Sequence, residues 1–266
     1  MKKVLFQILV LVAVFYGMWF GLSKVDWLKI FKVEQASKKT EEKLGELFWE
    51  VFSKTEKEVK NKKVTLPVDS LLTKLCEANG FDRKEIKLHV IESDDVNAFA
   101  FPNKHLVVFT SLIADSRSEA ELAGVMAHEL AHIQKNHVMK KLIKEVGLSA
   151  LISITTGGSA GSEVIKSMAK TLSSTAYDRS LESEADMKAV DYLIEAKIDP
   201  APFADFLARL GKDEPEEMKH LTWISTHPES KERSEKIIES LDGLTYDTQP
   251  VLAPETWELL KEKVKE

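Results

Sequence analysis

The stretch VMAHELAHIQKNH constrains this chain more than any other, holding three of its seven histidines. His128 and His132 are four residues apart and so lie above one another on one face of a helix. Their imidazoles then point at one place in space, with Glu129 one step round. This is the H-E-x-x-H arrangement: two zinc ligands, and a carboxylate able to act as a base on a water held there. Gly124, one turn before His128, reads as room left for metal, water and substrate. The flanking pattern is helical. Ser118 can cap the start, Glu121 three residues later completes a capping box, and Leu122, Met126, Leu130 and Ile133 recur at helical spacing.

Two histidines do not complete a catalytic zinc site, which normally has three protein ligands and one open position. The extended motif with a further glycine and histidine fails, because Lys135 and Val138 stand at those places. His137 lies about 140 degrees round a continuous helix from His132, and reads as a polar contact near the helix end. The third ligand therefore has to come from another element, and DRSLESEADMKAVDYL offers one. With Asp178 as N-cap, Glu182, Asp186, Ala189 and Leu193 share one helical face. Glu182 can complete a two-histidine, one-glutamate set. Asp186, a turn later, can accept from the non-ligating nitrogen of a zinc histidine and fix its tautomer. Ala185 and Ala189 allow close approach of the two helices. Glu184 is the competing ligand, although it faces away from Glu182.

With HELAH followed by RSLESEAD, the chain resembles the gluzincin metallopeptidases that include the CAAX prenyl proteases, HtpX-type heat-shock proteases and Oma-type proteases. The likeness is greatest to single-anchor, periplasmic members of the BepA and LoiP kind. NAFAFPNKHLVVFTSLI resembles the family's strand pair ahead of the active-site helix. STHPESKER resembles its late His-Pro motif with a downstream arginine. The resemblance covers roughly residues 67 to 242. Asp178 departs from the family's frequent serine without disturbing the capping role. The resemblance implies that His227 faces the zinc, either donating to an oxyanion or filling the open coordination position. Arg233 is expected to pair with an acidic group and fix that loop. NAFAF, with Asn97, Ala98 and Phe99, is expected either to offer a strand edge to an extended substrate or to pack as an ordinary strand.

The chain has 266 residues, which suits one membrane segment and one catalytic domain. A net charge of -6 gives no basic footprint for nucleic acid. With Cys76 as its single cysteine it has neither a disulfide framework nor a thiolate metal cluster. Lys2 and Lys3 precede VLFQILVLVAVFYGMWFGL, about nineteen uncharged residues that just span a bilayer as a helix. Residues 1–23 are expected to be a signal anchor with the remainder outside the cytoplasm. A signal peptide cut near Ser23, leaving a soluble periplasmic protein, is the alternative.

Residues 24–66 then form a charged amphipathic helical linker, which either packs on the domain or binds a partner. Residues 67–242 form the metallopeptidase domain, and 243–266 a peripheral tail. A helix follows Pro67, three strands lie between Ile86 and Thr110, and helices fill Ser118 to Leu241. The fold class is α+β: a mostly helical zincin domain with a small sheet. The apolar stretch ending in TTGGSAG reads as a helix and glycine-rich turn lying over the cleft. The expected activity is zinc-dependent hydrolysis of peptide bonds in unfolded or misassembled envelope proteins, with Glu129 as general base. The alternative is a zinc-holding chaperone or assembly factor with little proteolysis.

Overall fold

A single helix, α4 (Glu119–Gln134), organises the fold, and it is buried all round between Glu121 and Ile133. Its far face from the predicted apolar stripe carries Ala123, Ala127 and Ala131 together with His128 and His132, so neighbours close on every side. The computed structural model describes residues 33–157, 162–210, 223, 226–228 and 230–266, with the isolated positions Gln7, Val12 and Tyr16. The chain divides into two compact units, Met1–Thr40 and Glu41–Glu266. Of the first, apart from those three positions, only the opening turns of α1 (Val33–Phe52) are described.

Against α4 pack α8 (Arg179–Glu195), α9 (Ala201–Leu210), α2 (Lys62–Ala78) and the sheet. The sheet holds β1 (Lys57–Glu58), β2 (Lys87–Glu92), β3 (Ala98–Phe101) and β4 (His105–Phe109) in the order β1-β2-β4-β3. β2 and β4 are parallel, and both outer pairs are antiparallel. β4 is buried at every residue, which is why its run reads as continuous rather than alternating. A short helix, α3 (Thr110–Asp115), then leads into α4.

Ser118 accepts a hydrogen bond from the Glu121 amide, as the capping box requires, while the Glu121 carboxylate takes the amide of Arg117. α2 begins at Lys62 rather than after Pro67, because Asn61 caps it by accepting from the Lys63 amide. Pro67 is tolerated inside the helix: the carbonyl deprived of its donor belongs to Lys63, an exposed residue that water reaches. The charged helix α1 packs its Leu44 and Phe48 fully into the core, where Phe48 meets Phe101 edge to face at 5.9 Å.

The residues after Asp242 are not peripheral. α11 (Pro254–Lys263) packs on α2 and buries Leu260 completely, and the amides of Val251 and Leu252 both donate to the Glu119 carboxylate. Between α4 and α8 run α5 (His137–Val146), α6 (Leu148–Thr155) and α7 (Ser162–Ser174). The glycine-rich turn at 158–161 lies outside the described residues, and α7 packs against the edge strand β3. Among the described residues no helix is long and apolar enough to cross a membrane. The anchor expected over residues 1–23 falls outside them except at Gln7, Val12 and Tyr16.

Candidate metal centre

The site forms where α8 crosses α4. Ala185 and Ala189 are fully buried in that contact, and their small side chains let the backbones approach. One ligand atom each from His128, His132, Glu182 and His227 lies within 4.8 Å of all the others. Nε2 of His128 and Nε2 of His132 are 2.9 Å apart, and the Glu182 carboxylate oxygens stand 3.6 and 3.4 Å from them. Nδ1 of His227 lies 3.3 Å from His128 Nε2 and 3.0 Å from both Glu182 oxygens. Zinc bonds of about 2.0–2.1 Å set tetrahedral ligand atoms roughly 3.3 Å apart. The donor set fits that ion in type and in spacing.

Around these four atoms the support is dense. Asp186 stands 2.9 Å from Nδ1 of His128. Arg233, on α10 (Ser230–Leu241), donates to Asp186 through two nitrogens at 2.7 Å each, to Glu182 at 2.8 Å and to the His227 carbonyl at 3.1 Å. One guanidinium thus ties α8 to the loop that carries His227. Burial raises the carboxyl of Asp186, but the Arg233 charge beside it outweighs this and holds it down at about 2. Glu182 is likewise raised by burial, yet lies well below the usual carboxylate range because His227 and His132 face it. Burial pushes His227 down, while Glu182 and Glu129 on either side lift it to about 9.

Glu129 is fully buried, with His227 Nε2 at 3.3 Å from its carboxylate and no hydrogen bond to either oxygen among the described residues. Gly124 does not open the metal cavity. A Cβ there would stand 2.4 Å from Cβ of Phe203, so the missing side chain lets α9 seat against α4. Asp178 occupies the N-cap position of α8 without capping it, because its carboxylate is held by Lys144 at 2.6 and 2.9 Å. Glu184 lies outside the ligand cluster and pairs with Lys135 at 3.0 Å.

Asn97, Ala98 and Phe99 are buried, with Phe99 packed edge to face on Phe52, Phe101 and Phe109. Ala98 and Phe99 lie in β3, the edge strand of the sheet, and α7 contacts that strand.

Two site residues carry no signal in the sequence, and a third faces another way than helical spacing predicts. Tyr177 stacks on His132 with ring centroids 4.1 Å apart, and Trp223 stacks on His227 at 4.5 Å. Neither stands in a recognisable motif: Tyr177 lies in the irregular stretch before α8, and a lone aromatic at a helical position such as Trp223 carries no spacing signal. His137 is the third. Its Nδ1 lies 3.1 Å from Nδ1 of His132. The signal was Asn136, which adopts a left-handed conformation at φ 55, ends the first helix and turns His137 back.

What such groups can do together is chemistry on water: hold a cation by imidazole and carboxylate, and keep a free carboxylate beside it to take a proton. That equipment defines a metal-dependent hydrolase. The chain belongs to peptidase family M48, whose family model matches residues 62–241. It is 29% identical over 178 residues to mitochondrial metalloendopeptidase OMA1 of Schizosaccharomyces pombe, covering 66% of this chain and 53% of that protein. It is 29% identical over 182 residues to metalloprotease LoiP of Escherichia coli, covering 65% and 71% respectively. A beta-barrel assembly-enhancing protease of Yersinia pestis is 25% identical over 180 residues, covering 62% of this chain and 36% of that protein. The chain thus spans about half of the first relative and about a third of the last.

Proposed function

We propose that this chain is a zinc metalloendopeptidase that hydrolyses unfolded or misassembled envelope proteins outside the cytoplasm. His128, His132 and Glu182 would hold the ion, which supplies Lewis acidity to a water and to the scissile carbonyl. Glu129 takes the proton of the attacking water and hands it to the leaving amine. Asp186 orients His128, and Arg233 holds Asp186, Glu182 and the His227 carbonyl as one unit. The observation that carries the reading is Glu129. A carboxylate buried beside the ligand atoms, outside their cluster and facing His227, has a use as a base and none in a purely structural centre. In Glu129→Gln, turnover of an unfolded protein should fall about 10²- to 10⁴-fold with zinc content unchanged. Cleavage at the wild-type rate would favour another base, and an inactive wild-type protein that still binds unfolded chains would favour the zinc-holding chaperone.

For His227, the position of Nδ1 among the ligand atoms supports a latch that fills the place of the water. His227→Ala should then raise activity. A loss of about 10²- to 10³-fold would instead assign it to the oxyanion, and wild-type activity at unchanged zinc would exclude both roles. An extended substrate would add at the edge of β3, beside Asn97, Ala98 and Phe99. Residues 1–23 would anchor the chain in the inner membrane. A reporter fused after residue 66 should be active only outside the cytoplasm, and alkaline extraction should leave the protein in the membrane.

A further inference from the structure

His132 is held from behind by a chain of polar groups that leads out to solvent. Its Nε2 faces the other ligand atoms, at 2.9 Å from His128 and 3.4 Å from Glu182, so Nε2 is the atom that would meet a metal. Its other nitrogen, Nδ1, lies 3.1 Å from Nδ1 of His137. His137 is fully buried, and its Nε2 lies 3.3 Å from the Glu184 carboxylate. Glu184 is half-exposed and is held in turn by Lys135 at 3.0 Å.

Only one arrangement of protons satisfies this row with a metal on His132. A ligating Nε2 leaves the proton of His132 on Nδ1. That N–H donates to Nδ1 of His137, which must therefore accept. His137 then carries its own proton on Nε2 and donates it to the Glu184 carboxylate. The row is neutral, hydrogen bond by hydrogen bond, until the Glu184–Lys135 pair at the surface.

We infer that His137 is a positioning residue for the metal centre: it fixes the tautomer and ring plane of His132, with Glu184 fixing His137 in turn. Asp186 stands in the corresponding place behind His128, at 2.9 Å from its Nδ1, on the other side of the site. The device depends on the break between the helices. In a continuous helix His137 would face away; the left-handed turn at Asn136 returns its ring to within 5.0 Å of His132, centroid to centroid. This inference rests on the zinc reading of the site.

The test compares two substitutions in the full chain. Leucine nearly matches the volume of histidine and has no acceptor. Asparagine is smaller, but its side-chain oxygen can stand where Nδ1 stood. Positioning by hydrogen bond predicts that His137→Leu weakens zinc binding about 10- to 100-fold, measured by competition with a chromophoric chelator, while His137→Asn loses less. If His137 merely fills space, the order reverses and asparagine is the worse variant. Should either variant fold poorly by circular dichroism, the unmodified protein decides. In zinc-loaded protein with 15N-labelled histidine, the proton of His137 should be on Nε2, with Nδ1 bare and coupled through the hydrogen bond to Nδ1 of His132. A proton on Nδ1 of His137, or zinc held by His137→Leu as tightly as by wild type, overturns the inference alone. A wild-type protein that takes up no zinc overturns the zinc reading and this inference with it.

Discussion

Two clusters of histidines share this molecule, and only one gathers its donor atoms where a cation could sit. At the metal centre, His128, His132 and His227 aim one nitrogen each at the same small volume, and Glu182 adds its carboxylate. Lone pairs converge there on one point. On the sheet the order is linear. Lys87 stands 3.4 Å from Nε2 of His105, Nδ1 of His105 lies 3.0 Å from Nε2 of His89, and Nδ1 of His89 lies 2.8 Å from Glu58. If Lys87 donates first, each ring accepts on one nitrogen and donates on the other, and the chain ends on a carboxylate with both rings neutral. Trp49 of α1 stacks across both rings. Burial of histidines therefore does not by itself mark a metal site; convergence of lone pairs does. His137 belongs to the linear kind, attached to the back of the convergent one.

The largest expected effect separates the two clusters outright. Glu182→Ala should lose most of the zinc, whereas Glu58→Ala, which removes the terminal acceptor of the sheet cluster, should keep it; metal analysis after dialysis reads both. Zinc lost from Glu58→Ala would collapse the distinction. Asp186→Asn is expected to weaken zinc binding or activity about 10- to 100-fold. An effect as large as loss of Glu182 would make Asp186 a ligand. Gly124→Ala should cost about 1–3 kcal/mol by overpacking against Phe203, seen in urea midpoints, with one zinc still bound per chain. Normal stability with zinc lost would return Gly124 to the cavity.

A separate effect concerns acid. Burial, with Lys87 and His89 adding to it, depresses His105 from 6.5 to about 3. The unfolded chain therefore takes up a proton that the folded chain refuses between those values. The contribution is complete above pH 6.5 and is lost as pH falls toward 3, at up to about 1.4 kcal/mol per pH unit. In His105→Leu the slope of stability against pH should be shallower than in wild type over that window, whatever the change in absolute stability. Equal slopes would mean that His105 is charged when folded.

Much of this was legible in the sequence because it was local. The capping of α4 by Ser118, the pairing of His128 with His132 on one face, and the shared face of Glu182 and Asp186 all follow from helical periodicity within about two turns. The three strands were readable from β-branched and aromatic runs. What failed was decided by partners far along the chain. Gly124 is a packing contact with Phe203, and Asp178 gives its carboxylate to Lys144 rather than to its own helix. The orientation of His137 depended on one residue, Asn136, leaving the helical region; periodicity carried across that break gives the wrong face. The start of α2 differs from the expectation for a related reason: Pro67 suggests a boundary where Asn61 already supplies one.

The carboxylate of Glu119 has a consequence beyond holding two amides. It ties the opening turn of the site helix to a segment 132 residues later, beyond the stretch that matches the family. The entropy of closing a loop grows only with the logarithm of its length, so so distant a tie costs little more than a near one. In the language of exchange, the tail is a reporter on the centre. A chain cut ahead of Val251 should show faster amide hydrogen exchange in the first turn of α4, while the turn carrying His128 and His132 stays protected; unchanged exchange at Glu121 and Leu122 would show that the tie carries no stability.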